Sequence, residues 1–167
     1  MKILYVYLTL FLVFMGWSLT SKADQIDFKY GMGFGMPNQV DTTEAKFLAI
    51  EYQTDLTLFF QHKIGIGGWF NDHPQFNRSS ATFISYSVGI QVRPGPFYFE
   101  NFFGISGISK TDSMLSTNFE FTEEIGMGVM DGLGRFIGIG YKHFSNAGFQ
   151  LPNKGRDFFI INTGINY

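Results

Sequence analysis

Ile84-Ser85-Tyr86-Ser87-Val88-Gly89-Ile90-Gln91-Val92-Arg93 alternates large apolar residues with small or polar ones without a break. A period of two over this length marks a β-strand whose two faces meet different surroundings. Its greasy face is continuous, and its other face is small, polar or charged. The same pattern appears upstream, where Ile26, Phe28, Tyr30, Met32, Phe34 and Met36 interleave with Asp27, Lys29, Gly31, Gly33 and Gly35. Apolar outside and polar inside is the arrangement of a strand that crosses a membrane as part of a closed barrel.

Extending this reading along the chain yields eight strands. Leu48, Ile50 and Tyr52 face outward on the second, against Ala49, Glu51 and Gln53. A short turn is expected at Thr54-Asp55, after which Leu56, Leu58, Phe60, Ile64 and Ile66 line the outer face of a third strand. Asn71 to Asn77 reads as a loop from its breakers, and the Ile84 stretch is the fourth strand. Pro94-Gly95-Pro96 turns the chain into a fifth strand, about Phe97 to Ile108, with Glu100 inward and Asn101 intruding on an aromatic face. Lys110 to Ser116 forms a polar loop. The sixth strand carries Phe119, Phe121, Ile125, Met127 and Val129 outward, interrupted by Glu123, with Glu120, Thr122 and Glu124 inside. Asp131-Gly132 signals a hairpin turn. The seventh strand then runs from Arg135 to about Ser145, and the eighth from Arg156 to Tyr167. Short turns near 54, 94 and 131 belong on the periplasmic side and the longer loops outside, which places residues 146–155 at the extracellular rim.

Composition agrees with this fold. The chain has 21 Phe, 8 Tyr and 20 Gly, with only 16% charged residues, a burden of aromatics that a lipid-facing wall displays and a small soluble domain would struggle to bury. Lys2, the uncharged run Ile3 to Trp17, and small residues at Ser21 and Ala23 read as a secretory signal with cleavage after Ala23. Residues 1–23 are thus expected to be a cleavable signal peptide and residues 24–167 an all-β, eight-stranded antiparallel transmembrane β-barrel of the outer membrane. The absence of cysteine excludes a lipoprotein signal and a disulfide scaffold. A net charge of −2 without a basic stripe argues against nucleic acid as a partner. An eight-stranded barrel is just wide enough for side chains to fill it. The inward set of Lys29, Glu51, Arg93, Glu100, Glu120, Glu124, Lys142 and Arg156 reads as a plug of mixed sign, not a pore.

The chemistry gathers in the last two strands. Ile137, Ile139, Tyr141, His143 and Ser145 share the outer face of strand seven, and Asp157 shares that of strand eight with Phe159 and Ile161. A serine hydroxyl becomes a nucleophile when an adjacent imidazole takes its proton, and a carboxylate holds the imidazole in the right tautomer. Ser145, His143 and Asp157 fit these roles. The backbone amides of Asn146, Ala147 and Gly148, or the Asn153 side chain, are placed to stabilise the oxyanion. Such a triad on a lipid-facing wall implies a lipid substrate. The competing reading makes these residues polar anchors at the headgroup level, where their exposure costs only about 0–1 kcal/mol each. His62 lacks an acid or serine beside it, and His73 beside Asp72 reads as solvated. No residues have metal-ligand spacing, so neither metal nor cofactor is expected.

The run His143-Phe144-Ser145-Asn146-Ala147-Gly148, then Pro152-Asn153-Lys154-Gly155 and Asp157, resembles the C-terminal signature of the PagL family of outer-membrane lipid A 3-O-deacylases. The resemblance is specific over about residues 141–157. It implies His143 as base, Ser145 as nucleophile, Asn153 as oxyanion donor, and lipid A of the outer leaflet as substrate. The acidic member in that family is typically glutamate, whereas this chain has the shorter Asp157. Three alternatives stay open at this point: a non-catalytic structural or adhesion barrel, and a phospholipase or an acyltransferase of similar build. Monomer and homodimer also both remain open.

Overall fold

The computed structural model describes residues 24–34, 45–57, 60–70, 80–112 and 114–167. The expected signal segment, Gly35, Met36, Leu58 and the loop at 71–77 lie outside them. The strands are β1 (Gln25–Phe34), β2 (Lys46–Asp55), β3 (Gln61–Phe70), β4 (Ala81–Val92), β5 (Phe97–Ile108), β6 (Phe119–Met130), β7 (Arg135–Ser145) and β8 (Arg156–Asn166). Each pairs antiparallel with the next, and β1 pairs with β8 from Gln25↔Asn166 to Phe34↔Asp157, which closes the barrel. Closure removes every sheet edge, the condition for strands to cross a bilayer with all backbone groups paired. Below the seam, Asp24 and Tyr167 exchange both backbone hydrogen bonds, tying the described ends together.

The outer wall is apolar on every strand. Phe28, Ile66, Ile84, Phe103, Ile125 and Ile137 are among the large side chains exposed on it, Ile84 at 60%. A belt of this extent is far larger than the apolar patches soluble proteins tolerate, and it is what a hydrocarbon solvent requires.

The interior is filled in two tiers. One is ionic: Lys29, Lys63 and Lys142 interlock with Glu51, Glu100 and Glu124, all buried. The other is aromatic and lies behind the loop-bearing ends of the strands, where Phe47, Trp69, Phe83, Phe144 and Phe158 stack with ring centroids 4.8–6.4 Å apart. Of the charged residues expected inside, Arg156 leaves the knot to pair with Asp112, and Glu120 bonds to Thr117. The interior is therefore less uniformly polar than the alternation implies.

β3 begins later than the hydrophobic pattern predicts. Leu56 lies in a bend and not on β3, because the amides of Leu56 and Thr57 both donate to the Phe60 carbonyl, while the Phe60 amide donates to Thr57 Oγ1. These bonds tie Leu56 and Thr57 to Phe60 ahead of β3, which starts at Gln61. The β6–β7 turn is also longer than an Asp-Gly pair suggests. Asp131 and Arg135 close a three-residue loop, with Gly134 at φ 79° supplying the left-handed position such loops need. Arg135 hydrogen-bonds the Asp131 carboxylate and holds its pKa below the ordinary range.

Candidate active site

The strand register sets three outer-wall residues in one row. Glu123 on β6 stands opposite His143 on β7, and His143 stands opposite Asp157 on β8. Facing side chains on adjacent strands lie about 4.5–5.5 Å apart at Cβ, close enough for an aspartate to meet an imidazole. His143 Nδ1 lies 2.7 Å from Asp157 Oδ1. The short aspartate therefore reaches the ring. With Nδ1–H donating to the carboxylate, Nε2 carries the lone pair and is the basic nitrogen.

Two further contacts confine this pair. The Tyr141 hydroxyl donates to the same Asp157 oxygen, and its ring lies nearly parallel to that of His143, with centroids 6.3 Å apart and 9° between planes. On another side the backbone of Gly155 lies against the imidazole. A Cβ at Gly155 would sit 2.6 Å from His143 Cε1, and Gly155 has φ +72°, a left-handed backbone that L side chains rarely adopt. Asp157, though on the outer wall, is consequently buried at 6% exposure.

Ser145 shares the outer face of β7 with His143 and pairs across β6 with Phe121. Among the described residues no hydrogen bond joins Ser145 to His143. Such bonds in hydrolases are often long at rest and tighten in the reacting complex.

The residues expected as oxyanion donors separate into two groups. The Asn146 amide donates to Asn153 Oδ1 at 3.1 Å, and the Gly148 amide donates to Asn146 Oδ1 at 3.0 Å. Both amides are therefore engaged in shaping the loop. The Asn146 side chain is buried and serves as an anchor, donating to Ser116 Oγ and to the Gln150 carbonyl. Because the Asn153 oxygen is occupied, its Nδ2 is the end left to donate. Ala147, at φ 53°, keeps an amide that no described group engages.

The 146–155 loop is braced by the β5–β6 connection, a support the sequence pattern did not reveal. The Lys154 amide donates to the Met114 carbonyl, Leu115 and Asn153 form a bridge, and Ser116 Oγ donates to the Gln150 carbonyl. Asp112 caps the Met114 and Leu115 amides and pairs with Arg156 at the start of β8. Met114 and Leu115 are buried in the aromatic tier, so the brace is rooted in the barrel core. Glu123, an anomaly by alternation alone, proves to be a second carboxylate flanking His143 in register, with no hydrogen bond to the ring.

Comparison with known proteins places the chain among outer-membrane barrels and in one family. The profile of the family described as lipid A 3-O-deacylase (PagL) matches residues 32–166. The lipid A deacylase PagL of Bordetella bronchiseptica (strain ATCC BAA-588 / NCTC 13252 / RB50) is 39% identical over 64 residues, which cover 36% of this chain and 36% of that protein. The crystal structure of the outer membrane enzyme PagL superposes with a TM-score of 0.61 at 17% identity, covering 83% of this chain and 98% of that one. Neisserial surface protein A shares the fold at a TM-score of 0.58 and 9% identity, covering 87% of this chain and 96% of that one.

Proposed function

The chain belongs to the lipid A 3-O-deacylase (PagL) family, and from that premise we propose that it is an outer-membrane serine esterase that removes the ester-linked 3-hydroxyacyl chain from the 3-position of lipid A. The observation that carries this reading is the Asp157–His143 pair on the lipid-facing wall, two residues from a serine on the same face.

In the reaction, Ser145 Oγ attacks the acyl carbonyl carbon while its proton passes to His143 Nε2. Asp157 holds the ring and stabilises the imidazolium. Asn153 Nδ2 and the Ala147 amide are the donors that meet the oxyanion. Collapse breaks the ester C–O bond, and His143 returns its proton to the departing sugar oxygen. Water, activated by the same imidazole, then cleaves the acyl-serine and regenerates Ser145. Every reacting group lies on residues 143–157 at the loop end of the wall, where an outer-leaflet lipid can lie alongside without entering the filled lumen.

Purified protein in detergent micelles, incubated with lipid A, is expected to lower its mass by one 3-hydroxyacyl chain, and to leave phospholipid intact. An unchanged lipid A mass would sink the proposal, and loss of acyl chains from phospholipid instead would make it a phospholipase. The missing Ser145–His143 hydrogen bond favours one rival, a non-catalytic barrel like many of this fold, and the same measurement separates the two.

Gly155→Ala supplies a second test. The added methyl must displace the His143 ring and must adopt a left-handed backbone, which costs about 1–2 kcal/mol. Deacylation is expected to fall at least tenfold while the barrel still folds, because Gly155 lies outside the strands. Wild-type turnover in this variant would show that the imidazole position is not limiting.

A further inference from the structure

Tyr141 lies on the lipid face of β7, yet it does not simply present its ring to the lipid as Ile137 and Ile139 do. Its hydroxyl is turned along the wall to Asp157 Oδ1, the same oxygen that meets His143 Nδ1. Its ring lies alongside the imidazole, with centroids 6.3 Å apart and 9° between the planes. A phenol at this depth would otherwise have to leave its O–H unpaired in hydrocarbon, and buried hydroxyls find partners because the alternative costs several kcal/mol.

The consequence concerns the carboxylate. Asp157 can rotate about its Cα–Cβ and Cβ–Cγ bonds, and it must present one oxygen to Nδ1 for the ring to keep the tautomer with a basic Nε2. The imidazole alone cannot fix that rotation. We propose that Tyr141 is a positioning residue of the site, its hydroxyl fixing the Asp157 carboxylate and its ring confining His143, so that Asp157, His143 and Tyr141 act as one unit behind Ser145.

The groups around the imidazole leave Tyr141 this role. Glu123 flanks the ring from β6 but makes no hydrogen bond to it among the described residues, and Gly155 offers only backbone. Tyr141 is thus the side-chain donor, besides His143 itself, whose hydrogen bond to Asp157 is seen.

The inference rests on the esterase reading, and its test separates the two. Tyr141→Phe keeps the ring and the apolar wall and removes only the hydroxyl. Deacylation kinetics in micelles are combined with nitrogen-15 NMR of ring-labelled histidine in the same preparations, which reports the His143 tautomer without any substrate. A hydrogen bond to a charged group of this kind corresponds to a fall in kcat of about tenfold or more. The expected result is that loss with KM unchanged, together with a drop in the population of the Nδ1–H tautomer of His143. In an Asp157→Asn background the same change should have little further effect, since residues acting as one unit are not additive. Unchanged kcat and unchanged tautomer in Tyr141→Phe would overturn the proposal. So would a rise in KM alone, which would make Tyr141 a substrate contact. If wild-type protein deacylates nothing while its His143 tautomer still responds to Tyr141→Phe, the positioning role stands and the esterase reading fails.

Discussion

Replacing Ser145 by alanine is expected to reduce lipid A deacylation by roughly 10⁴–10⁶-fold without unfolding the barrel. The size of the effect follows from chemistry. Without Oγ there is no acyl-enzyme, and His143 Nε2 has no serine proton to take up. The tolerance follows from structure: the Ser145 hydroxyl makes no hydrogen bond among the described residues, so its removal leaves no buried partner unsatisfied. Stability should change by no more than about 0.5 kcal/mol. His143→Ala should cost a comparable factor, and the double variant should cost little more than either alone, because a nucleophile and its base fail together. The measurements are lipid A mass spectra over time and, for the fold, the mobility difference between boiled and unboiled protein on a gel. Deacylation by Ser145→Ala within tenfold of wild type would exclude the serine mechanism and leave the fold and family intact.

What the sequence discloses and what it hides divide along physical lines. Alternation reports which way a side chain points, and it placed His143, Ser145 and Asp157 on one wall because that depends only on the position along a strand. The starts of β5 and β7 are read correctly because turn residues, Pro94-Gly95-Pro96 and Asp131-Gly132, mark them. Alternation cannot tell a strand from a turn whose residues happen to alternate. Leu56 and Phe60 keep the period, and the backbone bonds from Leu56 and Thr57 to the Phe60 carbonyl leave no mark in it.

Register between strands is equally invisible from one strand at a time. Glu123 is an anomaly within β6 and becomes intelligible only when β6 is laid against β7 and the carboxylate falls beside His143. Loop geometry is the most hidden. Asn146 lies in the motif and reads as an oxyanion donor, yet its amide and side chain are engaged with Asn153, Ser116 and Gln150. Its partner Ser116 is 30 residues away, and the Asp112–Arg156 pair spans 44. Long-range pairs of this kind are set by barrel closure, not by local pattern.

Glu124→Ala is expected to be the most damaging substitution to the barrel itself. Glu124 bonds Lys63 at 2.9 Å and Lys142 at 2.8 Å, and it also pairs with Lys29, so one carboxylate joins ammonium groups carried by three different strands. Removing it leaves these three cations to Glu51 and Glu100, with Asp27 more distant from Lys29 and Lys63 at 4.0 and 3.8 Å. Breaking a buried ion pair by deleting one partner costs about 3–5 kcal/mol, since the uncompensated charge cannot return to water. That is a large share of the total of about 5–15 kcal/mol that holds a domain folded. Urea titration in detergent should show the midpoint falling accordingly, with the slope unchanged if the barrel still unfolds as one unit. Ile139→Ala on the outer wall is the control. Its side chain faces lipid in the native barrel and leaves no charge unpaired, so its midpoint should move far less. Activity adds a second readout, because Lys142 directly precedes His143 on β7 and repositioning of its ammonium would disturb the ring. A Glu124→Ala barrel as resistant to urea as wild type would mean that the ionic tier fills space without holding the wall together, and that the aromatic tier around Trp69 and Phe144 carries the stability instead.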